Sequence, residues 1–285
     1  VSVLATLPES GTTSVIRSVR AADGYPLQYR VWPAATGEVR ATVVFLNGVM
    51  SHSGWFAPLA PALTAAGVHM VGADRRGTGT NELSRGDAPT AKHLVLDAAA
   101  IISAEHQAGR PLVVVGWCWG AVLAIHLAPE LCGELDGLVF VAPGLCPTEL
   151  VSVRAQAEAA RVGPGPEDEA CLPSPLSEDL FTSGPALDGF ILQDPLRLRT
   201  FTRRFRGIMD RMALFAPRGL AKLAPPVLLV LADADRATDN ARTREVFAAI
   251  PHLSHGTVPG QHGVQFDAPR EIVAHVLTFV DSLRR

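Results

Sequence analysis

Three residues of this chain have side chains that could do nucleophilic chemistry together: Cys118, Asp235 and His262. Cys118 sits in Val113-Val114-Val115-Gly116-Trp117-Cys118-Trp119-Gly120-Ala121, where an apolar β-type run passes through Gly-x-Cys-x-Gly into an Ala- and Leu-rich helical pattern over 122–127. That order reads as a strand, a sharp turn and a helix with a thiol at the apex. The two glycines leave room where backbone segments must approach closely. A helix N-terminus offers unpaired N–H groups and the positive end of the macrodipole, which favour a thiolate over a thiol. A cysteine without partners is more often a buried, inert packing residue; a nucleophilic one needs a base, and a carboxylate to orient that base. Asp235 follows the apolar run 226–231 by four residues and leads into a loop, with Asp233 as its competitor. His262 lies in Pro259-Gly260-Gln261-His262-Gly263, where flanking glycines suit an exposed, sharply turned active-site loop. His255 is the competing histidine and falls at the start of a strand. With nine histidines in the chain, one near the C-terminus means little by itself; the three residue types in fitting contexts carry the reading.

The elements that must position these groups alternate along the chain. The segments 15–20 and 27–32 alternate in polarity around Asp23-Gly24 and predict an opening hairpin. The run 41–46 is continuously apolar, as in a strand covered on both faces. A helix is expected over 55–66, with Pro58 and Pro61 near its start and Gly67 at its end. Then come a strand over 68–73, the Gly-rich turn Asp74-Arg75-Arg76-Gly77-Thr78-Gly79, a helix over 90–107 and the Cys118 strand from Pro111. A further strand is expected over 136–142. Regular alternation breaks at Gly144 and resumes at Pro226; strand and helix signals follow at 226–231, 238–249, 255–258 and 269–283. This alternation predicts an α/β fold with a mainly parallel, doubly wound sheet. Its core is 1–144 plus 223–285. Residues 145–222, with helical patches such as 152–162 and a Pro/Gly-rich stretch over 163–175, are read as an inserted cap.

Composition narrows the function classes. The chain has 285 residues, 48% of them hydrophobic, enough for a large core. A formal net charge of -3 gives no global sign of nucleic-acid or anionic-membrane binding. The four cysteines, Cys118, Cys132, Cys146 and Cys171, show no CxxC pairing and no disulfide-scaffold density, which suggests reduced thiols in a cytoplasmic protein. Residues 1–13 carry no basic segment followed by an apolar core, so they do not read as a secretory leader. No uninterrupted apolar run reaches membrane-spanning length. No metal site is indicated, and no Gly-x-Gly-x-x-Gly follows the first strands.

With these residues in hand, the chain resembles the α/β-hydrolase superfamily over nearly its whole length. Gly-x-Cys-x-Gly resembles the nucleophile elbow of that fold, with Cys118 in place of the usual serine. Asn47-Gly48-Val49, Ser51-His52-Ser53-Gly54-Trp55 and Asp74-Arg75-Arg76-Gly77-Thr78-Gly79 resemble its lysophospholipase and monoglyceride-lipase branch. The family's chain order of nucleophile, acid and histidine implies Cys118, Asp235 and His262. It also implies an oxyanion hole from the N–H of Trp119 and one from the loop after the 41–46 strand, with Val49 as the candidate. Asn47 stands where the family often has histidine.

Three families of this fold use cysteine. Dienelactone hydrolases are smaller and lack such a cap. Polyhydroxyalkanoate synthases are much longer and carry a further glycine where this chain has Ala121. The chain's size and layout are similar to the third group, the cysteine-dependent acyl and aminoacyl transferases of nonribosomal peptide and polyketide pathways. That resemblance implies an acyltransferase. It would form an acyl-S-Cys118 intermediate and pass the group from a carrier-protein thioester to a second thiol or other nucleophile. Thioester exchange is close to thermoneutral, which fits a thiol shuttle. The alternatives are a thioesterase or esterase acting on thioesters, esters or lactones, and a non-catalytic binding protein on a hydrolase scaffold. No cofactor is expected beyond a phosphopantetheine arm arriving as substrate on an acyl or peptidyl carrier protein.

Other residues are assigned by position. Met50, His52 and Trp55, after the presumed oxyanion loop, and Trp117, beside the nucleophile, are candidate substrate contacts; core packing is the competing reading for Trp117. Asp74, Arg75, Arg76 and Asp97 are read as structural. Phe201, Phe205, Ile208 and Met212 fall at helical spacing and predict a buried stripe. Arg199, Arg203 and Arg206 are expected to share another face and to dock an acidic carrier protein or its phosphate, the alternative being a solvated helix face.

Overall fold

The structure is a computed structural model that describes residues 13–182 and 184–283. Of the N-terminal stretch read above for a leader, residues 1–12 lie outside the described residues.

The chain opens with strands β1 (Val15–Arg20) and β2 (Pro26–Trp32), paired antiparallel around Asp23-Gly24 as the alternation predicts. Strands β3 (Ala41–Leu46), β4 (Val68–Ala73), β5 (Leu112–Trp117), β6 (Gly137–Val141) and β9 (Val227–Ala232) are buried at every position. That is why they read as continuous apolar runs rather than alternating ones. Strand β10 (Leu253–Val258) is a half-exposed edge. Together these form one eight-stranded sheet in the order β1-β2-β4-β3-β5-β6-β9-β10, parallel from β4 to β10.

The helices between strands are α1 (Ala60–Ala65), α2 (Ala91–Glu105) and α3 (Trp119–Leu127). The single helix expected over 55–66 is two pieces, a 3-10 segment Ser53–Leu59 followed by α1. Pro58 and Pro61 supply no N–H donor and break the i to i−4 ladder there.

Between β6 and β9 the chain leaves the sheet through α4 (Glu149–Val162), β7 (Ala170–Pro173), α5 (Pro185–Gln193), β8 (Thr200–Thr202) and α6 (Arg203–Leu220). β7 and β8 form a separate two-stranded antiparallel sheet. Phe201 therefore lies in a strand and not on the expected helical stripe. Phe205, Ile208 and Met212 do form the buried face of α6. The fold closes with α7 (Asn240–Phe247), α8 (Val264–Asp267) and α9 (Pro269–Ser282). Among the described residues, no helix is long and apolar enough to cross a membrane.

Parallel register brings the C-terminal ends of the strands together. Leu46 pairs with Gly116, Trp117 with Val141, Val141 with Val230, and Ala232 with Val258. The loops carrying residues 47–50, 118, 233–238 and 259–263 therefore leave the same edge of the sheet, where doubly wound folds bind ligands.

Candidate active site

Cys118 stands between β5 and α3 with φ 55° and ψ −126°. A non-glycine residue rarely adopts this backbone, and such strain persists only where the surroundings enforce it. Those surroundings are the two glycines. A Cβ on Gly120 would lie 2.0 Å from the Leu46 carbonyl oxygen, and one on Gly116 would lie 2.6 Å from Ala121 Cα. Larger side chains at either position would push the elbow off β3 and α3.

His262 is fully buried in the loop between β10 and α8. Its Nδ1 is 2.9 Å from Asp235 Oδ2, and its Nε2 is buried with no hydrogen-bond partner among the described residues. Asp235 is oriented in turn. Its Oδ1 accepts from the N–H groups of Ala237 (2.8 Å) and Thr238 (3.0 Å), and its Oδ2 from the Thr238 hydroxyl (2.6 Å). Burial alone would raise the Asp235 carboxyl, but the His262 charge and these hydrogen bonds outweigh it and hold it below the usual carboxylate range. Burial likewise opposes the His262 imidazolium, yet the Asp235 carboxylate and Cys118 hold its pKa well above the ordinary 6.5.

The competitors fall elsewhere. Asp233 accepts from the Gly260 N–H (3.0 Å) and is exposed, and His255 is exposed on the edge strand β10. Trp117 donates its indole N–H to the His262 carbonyl (2.9 Å) and packs beside the imidazole with ring centroids 5.6 Å apart. On the cap side, the Leu180 carbonyl accepts from His262 N–H (3.1 Å) and the Phe181 carbonyl from Gly263 N–H (2.7 Å).

Cys118 and His262 open into one cavity of about 310 Å³. Its wall includes Val49 and Trp119, the residues expected to supply the oxyanion N–H groups. The rest is mainly apolar and comes largely from the cap: Val151 and Ala155 of α4, Met209 and Ala213 of α6, and Leu176 and Phe201.

The four residues expected to touch substrate do not line this cavity. Met50, His52, Trp55 and Trp117 are each at most 5% exposed. His52 and Trp55 hydrogen-bond to Asp194 (2.9 and 2.7 Å), and the Met50 carbonyl accepts from Leu198 N–H (2.9 Å). Met50, His52 and Trp55 thereby join the loop after β3 to the segment between β6 and β9. Trp119 is the indole on the cavity wall, while Trp117 is core.

The arginines expected to form one docking face are dispersed. Arg199 precedes β8, outside the helix, and donates to the Leu192 carbonyl (2.6 Å). Arg203 donates to the Gly163 and Pro166 carbonyls and pairs with Glu169. Arg206 pairs with Asp210 one turn along α6, and both border the cavity. A shared face needs all three on one helix, and only two are on it.

Among the described residues no cluster of His, Cys, Asp or Glu could hold a metal ion. Arg75, expected to be structural, is buried and donates to the carbonyls of Asn47, Gly48 and Val49 in the loop after β3.

The comparisons with known proteins bear on this geometry. Residues 37–267 match the family described as serine aminopeptidase, S33. Human monoglyceride lipase is 26% identical over 263 residues, 84% of this chain and 83% of that protein. A monoacylglycerol lipase of Mycolicibacterium smegmatis is 26% identical over 262 residues, 87% of this chain and 89% of that protein. Among solved structures, a soluble variant of monoglyceride lipase from Saccharomyces cerevisiae superposes with a TM-score of 0.83 at 17% identity, covering 98% of this chain and 99% of the other. That last likeness is one of fold.

These matches overturn the expectation of a transferase shuttling acyl groups between carrier proteins. The relatives run through core and cap alike, and they are lipases. The resemblance that holds is the one carried by residues 47–55 and 74–79, and it outweighs the layout shared with carrier-protein transferases. The chain belongs to the S33 serine aminopeptidase family of α/β-hydrolase enzymes, with Cys118 at its elbow.

Proposed function

We propose that this protein is a carboxylic-ester hydrolase acting on acyl esters of the monoacylglycerol kind, with Cys118 as nucleophile, His262 as acid and base, and Asp235 as its orienting carboxylate. The observation that carries the reading is the cavity. Cys118 and a histidine with one nitrogen on a carboxylate and the other unpartnered line the same mainly apolar space.

The sulfur attacks the ester carbonyl and forms a C–S bond. The resulting oxyanion lies between the N–H groups of Val49 and Trp119. A thiolate leaves such an adduct more easily than an alkoxide, so the adduct collapses backwards unless the alkoxide is protonated as the C–O bond breaks. A histidine that holds its proton strongly meets this need, and the raised proton affinity of His262 fits a general acid in this step. His262 then takes a proton from the incoming water, which attacks the acyl-sulfur carbonyl. The C–S bond breaks, the acid departs, and the proton on His262 again faces the thiolate.

The test is intact-protein mass spectrometry with p-nitrophenyl butyrate and monobutyrin, beside Cys118→Ala. Acyl mass on the wild type that decays in water with release of acid, and no such mass on the variant, is the expected result. Undiminished hydrolysis by Cys118→Ala would sink the reading.

A further inference from the structure

Arg75 is 4% exposed and has no carboxylate within ion-pairing distance among the described residues. Its guanidinium instead donates to three consecutive carbonyls of the loop after β3. Nη1 reaches Asn47 O (3.0 Å) and Gly48 O (2.8 Å), and Nη2 reaches Val49 O (2.8 Å). Its Nε–H is buried without a partner among the described residues. The guanidinium carbon stands over the Trp119 ring, 5.2 Å from its centroid, and over Phe205 at 5.8 Å.

A buried guanidinium with no carboxylate hydrogen-bonded to it is costly, and here the neighbouring Asp74 charge and three backbone carbonyls offset that cost. The geometry points to a task. In a planar trans peptide the carbonyl oxygen and the following N–H point in opposite directions. Fixing Gly48 O on Arg75 therefore aims Val49 N–H away from Arg75. Val49 borders the cavity beside Cys118, and its N–H has no acceptor among the described residues. On its other side Arg75 supports the indole of Trp119, the residue that carries the second N–H.

We propose that Arg75 is a positioning residue for the oxyanion hole, holding both backbone donors in place for the carbonyl adduct of Cys118. The proposal rests on the ester-hydrolase reading of the same site. It concerns stabilisation of the adduct; the Arg75 charge also faces the Cys118 sulfur, and the Arg75→Lys variant keeps that charge. The charged and titratable groups around that thiol are Arg75 itself with Asp74 beside it, His262 with Asp235, and the Arg206–Asp210 pair on the cavity wall.

The experiment compares Arg75→Met and Arg75→Lys with the wild type in three readings. These are kcat and KM for p-nitrophenyl butyrate, affinity for an alkyl trifluoromethyl ketone, and the rate of Cys118 alkylation by iodoacetamide. The ketone forms a tetrahedral oxyanion on the sulfur, whereas alkylation forms none. Loss of one oxyanion donor typically lowers kcat by about 100- to 1000-fold. Arg75→Met is expected to lower kcat by roughly 30- to 100-fold with KM within about threefold, and to weaken ketone binding in parallel. Alkylation should stay within about tenfold, and Arg75→Lys should recover part of kcat because an ammonium reaches fewer carbonyls. Equal losses of kcat and alkylation, or unchanged ketone affinity, would overturn the proposal in favour of a structural role. A wild type that binds the ketone yet turns over no ester counts against the hydrolase reading alone, because the ketone comparison still reads Arg75.

Discussion

His262 and Asp235 are two buried ionisable groups whose proton affinities move in opposite directions, and folding stability must follow both. Asp235 is held below its ordinary 3.8, so its contribution is present above that value and lost as pH falls through the lower folded one. His262 is held above 6.5, so its contribution is present below that value and lost as pH rises through the higher folded one. Both are fully present between pH 3.8 and 6.5. Melting temperature is therefore expected to be highest across that window and to fall on both sides. Asp235→Asn removes the charge that holds the imidazolium, so the alkaline decline should be smaller in the variant and end at lower pH. The same variant should lose kcat by a factor on the order of 1000 to 10,000, as when a triad carboxylate is neutralised with its geometry kept. A melting curve whose alkaline arm is the same in both proteins would remove the ion-pair account of His262.

At the scale of elements, the histidine loop is held by a piece of cap. Gly263 N–H donates to the Phe181 carbonyl, and a Cβ on Gly263 would lie 2.5 Å from that oxygen. The clash is with backbone, so it cannot be relieved by a side-chain rotation. Gly263→Ala is expected to lower kcat at least tenfold while leaving alkylation of Cys118 within a few-fold, because it displaces His262 and not the elbow. Equal loss of both would mean that the elbow and the histidine loop move as one unit.

This contact also marks where the sequence stops being informative. Strands β3, β5 and β9 were legible because burial on both faces demands continuous apolar runs, and the elbow because Gly-x-Cys-x-Gly is local. Asp235 and His262 were found because each follows its strand by a few residues. The strand pairing inside the segment 145–222 was not legible. β7 and β8 are four and three residues long and pair across nearly thirty residues of chain, so their register depends on tertiary contacts with no local signal. Met50, His52 and Trp55 were misplaced for the same reason. Their hydrogen-bond partners, Leu198 and Asp194, are remote in sequence, so no local signal marks these residues as buried.

For the molecule as a whole, loops at one edge of the sheet carry the candidate groups and the segment between β6 and β9 lines most of their cavity. Cys118, Val49 and His262 come from loops at one edge of the sheet, whereas Val151, Ala155, Met209 and Ala213 come from α4 and α6 above it. The cap is also tied to the reactive loops, through Asp194 to His52 and Trp55 and through Leu180 to His262. Chemistry and selectivity are thus separable in the chain. A substitution on the cap wall should change which acyl group is accepted without touching the reacting atoms. Ala155 is a small buried residue on that wall, and Ala155→Phe fills part of the roughly 310 Å³ with a ring. Each methylene that no longer fits an apolar pocket costs about 1–3 kcal/mol of transition-state binding. kcat/KM for a p-nitrophenyl octanoate should therefore fall at least tenfold while that for the acetate changes less than threefold. Equal losses for both esters would mean that the acyl chain lies along another wall, with the leaving alcohol under α4.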